Sequence, residues 1–283
     1  MKKKIIANFF WNNNNLSLYD YCCLKSFLKN NFEVHVYSYE KIKLPFGAKL
    51  KDASKIINKK EIKKFIHQGK KGCLAAFADK FRIELLKKNK GWWFDMDILC
   101  LKRETEFRKL DNKEIIIGLE TDTNVNNAVL KISNQEFLNM ISFEILKLGY
   151  VINWGDIGPK LLNKLLHKEN KFSEVFGKKY FYPIDYKNFY YLLLPRYYSK
   201  AKKICKDSFT IHNYNQILNR FGIPKNIMPT KGSLLYKKFL EYSPELKTHT
   251  TLPENTAERL LDKKNGFKEN LKDLLPSLMR SFK

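Results

Sequence analysis

Apolar residues fall into short runs along the chain, and their spacing predicts the elements. Residues 5–11 are apolar except for Asn8 and predict a buried strand. Polar Asn12–Asn15 follow, residues 16–28 read as a helix, and residues 32–39 alternate as a second strand. This is a β-α-β opening. A Lys-rich connection with Pro45 and Gly47 leads to a short helix expected near 61–67. A longer helix is expected from about 74 to 88, where Leu74, Phe77, Phe81 and Leu85 recur at helical spacing, with Gly91 ending it. Residues 92–99 read as one apolar strand and 114–118 as another. Strands alternating with helices point to an α/β domain with a largely parallel sheet. Further on, 137–148 and 159–167 stand out, 180–198 is Tyr-rich and irregular, and from 230 the chain reads as helices separated by Pro244, Pro253 and Gly266.

Composition narrows the classes. The chain has 283 residues, 44% hydrophobic and 14% aromatic, which is enough to bury a core and too apolar for a disordered basic tail. Five cysteines without C-x-x-C spacing argue against a zinc site or a disulfide framework and read as reduced thiols in a cytoplasmic protein. No run approaches the ~18 apolar residues of a membrane span. The opening Lys-Lys-Lys and apolar run imitate a signal peptide, but Asn8 interrupts it and asparagines stand where a small-residue cleavage site would be. The net charge is +24 and lopsided: residues 41–71 hold eleven Lys against two acids. Such a surface favours anions, whether phosphorylated substrates, anionic lipid or nucleic acid, although lysines decorating solvated faces would look the same.

The most informative chemistry is Asp95-Met96-Asp97, set between Trp93-Phe94 and Ile98-Leu99. On a strand, carboxylates at i and i+2 share a face, and burying them in an apolar run costs several kcal/mol without a partner. A divalent cation is a fitting partner, and carboxylate oxygen suits Mg²⁺ or Mn²⁺, which also hold diphosphates. Upstream, Asp79 and Arg82 lie three apart on one helix face, in isolation an ordinary ion pair.

The string from Ala75 through Asp79, Arg82 and Leu86, then Gly91-Trp92-Trp93-Phe94-Asp95-Met96-Asp97, resembles the signature A-x-x-S-D-x-x-R-x-x-x-L-x-x-x-G-G-x-Y-x-D-x-D of DXD-containing sugar transferases with the GT-A fold. The branch most similar is that of bacterial capsular polysaccharide and lipooligosaccharide transferases, allied to the α-1,4-galactosyltransferase and yeast α-1,6-mannosyltransferase group and to the clostridial glucosylating toxins. The resemblance spans about residues 3 to 222. It includes Phe9-Phe10-Trp11, Asn126-Asn127-Ala128-Val129, Trp154-Gly155-Asp156-Ile157-Gly158-Pro159, and Ile211-His212-Asn213-Tyr214-Asn215, which is similar to an H-x-W-N element. Departures are Ala78 for Ser, Lys90 for the first Gly, Trp93 for Tyr and Tyr214 for Trp.

The resemblance implies an α/β GT-A fold, a Rossmann-like mixed sheet flanked by helices. Residues 1–229 would form the nucleotide-sugar domain and 230–283 a small helical extension. It implies Mn²⁺ or Mg²⁺ held by Asp95 and Asp97 with His212 and Asn215, and donor contacts from Phe10, Trp11, Asp79, Arg82, Trp93 and Asn127. It implies retention at the anomeric carbon; Asp156 is the carboxylate to examine for a stabilising group on the far face or, in an inverting reaction, a base. The expected partners are a nucleotide-sugar donor, UDP-linked by the family's habits, and a glycan or lipid-linked oligosaccharide acceptor. Anionic membrane would be touched peripherally, with residues 267–282 as an amphipathic contact. Nucleic acid is not expected as a partner, because a basic nucleic-acid-binding protein leaves Asp95 and Asp97 without a role. Transfer to protein hydroxyls is the other alternative.

Overall fold

In the computed structural model, residues 3–88 and 91–262 are described. Strands are β1 (Ile6–Phe10), β2 (Glu33–Ser38), β3 (Lys49–Asp52), β4 (Ile66–His67), β5 (Lys70–Lys71), β6 (Trp92–Phe94), β7 (Ile98–Cys100), β8 (Ile115–Leu119), β9 (Val125–Ile132) and β10 (Thr210–His212). Helices are α1 (Leu18–Lys29), α2 (Leu74–Lys88), α3 (Glu104–Arg108), α4 (Gln135–Leu148), α5 (Pro159–Lys168), α6 (Tyr198–Ile204), α7 (Asn215–Arg220), α8 (Leu234–Tyr242) and α9 (Glu254–Leu261).

The main sheet runs β3-β2-β1-β6-β9-β8. The first four strands are parallel, whereas β9 pairs antiparallel with both β6 and β8, so the sheet is mixed. This is the α/β architecture expected. From central β1 the chain goes to β2 on one side and later to β6 on the other, which makes the carboxyl ends of β1 and β6 a topological switch point where ligands bind in open α/β sheets.

Local chemistry explains the elements. Ser17 and Asp20 form a reciprocal capping box that starts α1, while Tyr19, Cys22, Cys23, Leu24 and Phe27 turn inward. Asn8, the polar break in the first apolar run, is fully buried and donates its amide to the Trp92 carbonyl of the neighbouring strand. At Gly91, φ is 143° and a Cβ would come within 2.8 Å of the Ile6 carbonyl, so only glycine lets β6 enter beside β1.

Three cores result. One, with Phe10, Phe77, Phe81, Trp93 and Leu161, packs α2, α4 and α5 on the sheet; a second, with Phe9, Phe27, Trp92 and Phe107, fills the opposite face. A third contains Tyr19, Ile184, Ile211, Leu235 and Phe239, so residues on both sides of 229 share one core. The Tyr19 and Phe239 rings meet edge-on with centroids 5.0 Å apart. All five cysteines are unpaired, and all but Cys73 are buried.

The structure corrects parts of the sequence reading. Residues 92–99 are not one strand: β6 ends at Phe94, a turn spans Asp95 to Asp97 with Ile98 N–H donating to the Asp95 carbonyl, and β7 leaves to pair with β10. The turn moves both carboxylates to the sheet's end, where their solvation is less costly than within a continuous buried strand. The helix expected near 61–67 is a 3-10 segment, Lys59–Lys64, followed by the β4-β5 hairpin, whose tip has positive φ at Gln68 and Gly69. Strand β9 was not foreseen because Asn126 and Asn127 interrupt its apolar pattern. The proposed amphipathic contact at 267–282 lies outside the described residues.

Candidate active site

Pairing brings distant residues to the switch point. Asp95 follows β6, and its N–H donates to the Ala128 carbonyl of β9 at 2.8 Å. Strand β10 runs antiparallel to β7 with His212 opposite Ile98, which carries the imidazole beside Asp97. The Asn213 N–H donates to the Asp97 carbonyl at 2.9 Å, closing the same corner.

Around Asp97, Oδ2 lies 3.3 Å from His212 Nε2 and accepts the Asn215 backbone N–H at 2.8 Å. Burial alone would raise the Asp97 carboxyl, but the His212 charge and hydrogen bond, with the Asn215 N–H, outweigh it and hold the group below the usual range. Burial likewise pushes His212 down, and Asp97, Glu120 and Asp95 together raise it above its ordinary value. Tyr214 has φ 53°, and its ring packs on His212 with centroids 4.2 Å apart while its hydroxyl donates to the Ile184 carbonyl.

The second half is built on α2. Arg82, 4% exposed, places Nη2 3.2 Å from Asp79 Oδ1 and 3.2 Å from Asp95 Oδ1, donates Nη1 to the Asn127 carbonyl, and lies over the Trp93 ring. Asn127 Nδ2 donates to Asp79 Oδ1 at 2.8 Å, and Trp93 Nε1 donates to Asp95 Oδ1 at 2.7 Å. Burial raises the carboxyls of Asp79 and Asp95; Arg82 opposes the rise at both, and Asp97 adds to it at Asp95. The indole thus supplies a hydrogen bond to Asp95 from the position where the resembled signature has tyrosine.

The other sequence candidates have different partners. Phe10 is buried, with its ring centroid 4.5 Å from that of Phe81, whereas Trp11 is half-buried at the carboxyl end of β1 with Nε1 donating to the Asn15 carbonyl. Asp156 accepts the Asn153 N–H at 2.7 Å and pairs with Lys160 at 3.2 Å, which ties it into the turn before α5.

Three further residues adjoin these clusters: sequence reasoning missed Glu120 and Asp20, and it gave Gly158 only as part of the Gly158-Pro159 segment. Glu120 follows β8, its carboxyl raised by burial and opposed by the His212 charge and an Asn126 hydrogen bond. A carboxylate ending an apolar strand, as Asp95 does, was the available signal. Gly158, at the start of α5, packs its backbone against the Asp79 carboxylate. Asp20, 1% exposed, accepts the Asn215 amide at 2.8 Å.

The donor set can be tested against a divalent cation. Among the described residues no group of three or more His, Cys, Asp or Glu side chains is arranged as a metal cage. The cluster at Asp97 is instead a carboxylate, an imidazole and an amide, and two of its buried polar atoms, His212 Nδ1 and Asn215 Oδ1, have no hydrogen-bond partner among the described residues. Oxygen and imidazole nitrogen in this combination fit Mn²⁺, and orphaned buried polar atoms at one corner fit a site that a ligand completes.

Residues 151–238 match the family described as Alpha 1,4-glycosyltransferase conserved region. The match contains Asp156, Gly158, His212 and Asn215 and bears out the resemblance drawn from the sequence. No curated protein matches the chain. Among solved structures, the galactosyltransferase LgtC in complex with donor and acceptor sugar analogs is similar at 16% identity and TM-score 0.49, covering 89% of this chain and 98% of that one. The WbbM bifunctional glycosyltransferase in its apo form is similar at 12% identity and TM-score 0.46, covering 92% of this chain and 52% of that one, so the chain spans about half of its length. The PaToxG glycosyltransferase is similar at 12% identity and TM-score 0.39, covering 59% of this chain and 69% of that one.

Proposed function

We propose that this glycosyltransferase moves a sugar from a UDP-linked donor to a hydroxyl of a surface polysaccharide or lipid-linked oligosaccharide, with a divalent cation and retention at the anomeric carbon. The observation that carries the reading is the convergence of Asp97, His212 and Asn215 on one side of the Asp95 turn and the Asp79–Arg82–Asn127 network on the other.

Asp95 and Asp97 would hold Mn²⁺ or Mg²⁺, with His212 and Asn215 adding contacts to the metal or the diphosphate. When bound, the cation supplies Lewis-acid neutralisation of the charge left on the departing diphosphate. Asp79 and Arg82 are fixed by mutual pairing, so a carboxylate and a guanidinium meet the donor hydroxyls without reorganising. Trp11 offers an aromatic face to the nucleotide base at the end of β1. The resemblance, rather than any group in the site, supports retention. The +24 charge favours approach of an anionic donor and contact with anionic lipid carrying the acceptor. Among the described residues no helix is long and apolar enough to cross a membrane.

Incubating the protein with a panel of UDP- and GDP-sugars, with and without Mn²⁺, tests the reading. Slow metal-dependent release of UDP from one sugar supports it; absence of cleavage and of metal-dependent nucleotide binding across the panel contradicts it.

A further inference from the structure

Asp20 is a buried carboxylate that sugar transfer does not require by itself. It lies in the first turn of α1, where Oδ2 accepts the Ser17 hydroxyl at 2.6 Å and the Ser17 N–H at 3.1 Å, an ordinary capping role. Its other oxygen has a different duty. Oδ1 accepts Nδ2 of Asn215, a residue 195 positions away, at 2.8 Å.

The consequence lies in the amide. Asn215 presents an oxygen and an NH₂ group in nearly the same shape, and its own side chain does not decide which faces where. A carboxylate accepts but does not donate, so Asp20 selects the orientation with nitrogen toward α1. Oδ1 is then the free end of the amide, buried and without a hydrogen-bond partner among the described residues. The backbone of the same residue is pinned separately, through its N–H to Asp97 Oδ2 at 2.8 Å.

We infer that Asp20 is a positioning residue for the metal–diphosphate site: it holds the Asn215 amide so that its oxygen, rather than its NH₂ group, is offered beside Asp97. This rests on the reading of Asp97 and Asn215 as contacts to metal or diphosphate. An oxygen offered to a cation attracts it, whereas a flipped amide presents hydrogens and repels it. Supporting groups of this kind change metal affinity by about 10- to 100-fold when removed. Asp20 thereby couples the capping of α1 to the first residue of α7.

The experiment measures binding of UDP in the presence of Mn²⁺ by calorimetry, with melting temperatures alongside, for wild type, Ser17→Ala, Asp20→Ala, Asp20→Asn, Asn215→Ala and Asp20→Ala/Asn215→Ala. Ser17→Ala should lower the melting temperature but keep wild-type affinity, because the Asn215 contact survives. Asp20→Ala should weaken binding about tenfold. Asp20→Asn, whose amide oxygen can still accept, should lose less. Asp20→Ala should have no further effect on affinity once Asn215 is alanine, since the effect passes through that residue. Wild-type affinity in both Asp20 variants, or additive losses in the double variant, overturns the inference while leaving the proposed function standing. Lack of Mn²⁺-dependent UDP binding by the wild type overturns both.

Discussion

Arg82 Nη2 lies 3.2 Å from Asp95 Oδ1, which joins the middle of α2 to the turn that ends β6. The guanidinium is almost wholly buried, and the same nitrogen serves Asp79 while Nη1 serves the Asn127 carbonyl. Replacing Arg82 by alanine leaves Asp79, mostly buried, and Asp95, partly exposed, without their cation, a change expected to cost about 3 kcal/mol. Lysine keeps the charge but not the fork or the stacking on Trp93, so it should restore little. Urea denaturation and UDP-sugar hydrolysis of Arg82→Ala and Arg82→Lys check both expectations, with hydrolysis lost in each.

Gly158→Ala is expected to damage the site from outside it. A Cβ there would come within 2.7 Å of Asp79 Cγ, and the carboxylate has little room to retreat because Asn127 and Arg82 hold its other side. Overpacking of this kind costs about 1–3 kcal/mol. Turnover should fall more than stability does, because the displaced group is the one proposed to orient the donor; comparing kcat with the denaturation midpoint separates the two.

Glu61 should contribute to stability in a defined pH window. Burial opposes its ionisation, but hydrogen bonds from Lys64, Lys80 and Tyr150 prevail and lower its pKa to about 2 from 4.5. A depressed folded-state value gives stabilisation that is fully present above 4.5 and is lost as pH falls from there toward about 2. Glu61→Gln should therefore lower stability by about 1 kcal/mol at neutral pH, as partly exposed ion-pair networks do, with the difference from wild type shrinking in that acid window. Urea midpoints of the two proteins at pH 7, 4 and 3 check it.

What local pattern can reveal was legible in the sequence. Helix α2 was visible because Leu74, Phe77, Phe81 and Leu85 repeat at its period, and the significance of Asp95 and Asp97 followed from their apolar flanks. The turn between them was not, because an apolar run carries no signal that its second half will pair with β10 instead of continuing in the main sheet. Contacts between residues far apart in the chain were equally hidden. Gly158 against Asp79, and Asp20 against Asn215, join positions that only the folded topology brings together, and neither glycine nor a capping aspartate looks unusual where it stands. Glu120 could have been found by applying to residues 115–120 the argument made for 92–97: a carboxylate at the end of a buried strand needs a partner.

Sugar transfer is proposed to depend on a cation that Asp97 anchors. The direct measurement is the rate of UDP release from the donor identified in the panel, for wild type and Asp97→Asn, after chelation and again after Mn²⁺ is restored. Wild type should fall to background on chelation and recover with Mn²⁺, whereas Asp97→Asn should stay at least about 100-fold slower at every Mn²⁺ concentration. Wild-type rates in Asp97→Asn, or full wild-type activity in the chelator, would show that transfer does not depend on a cation held by Asp97.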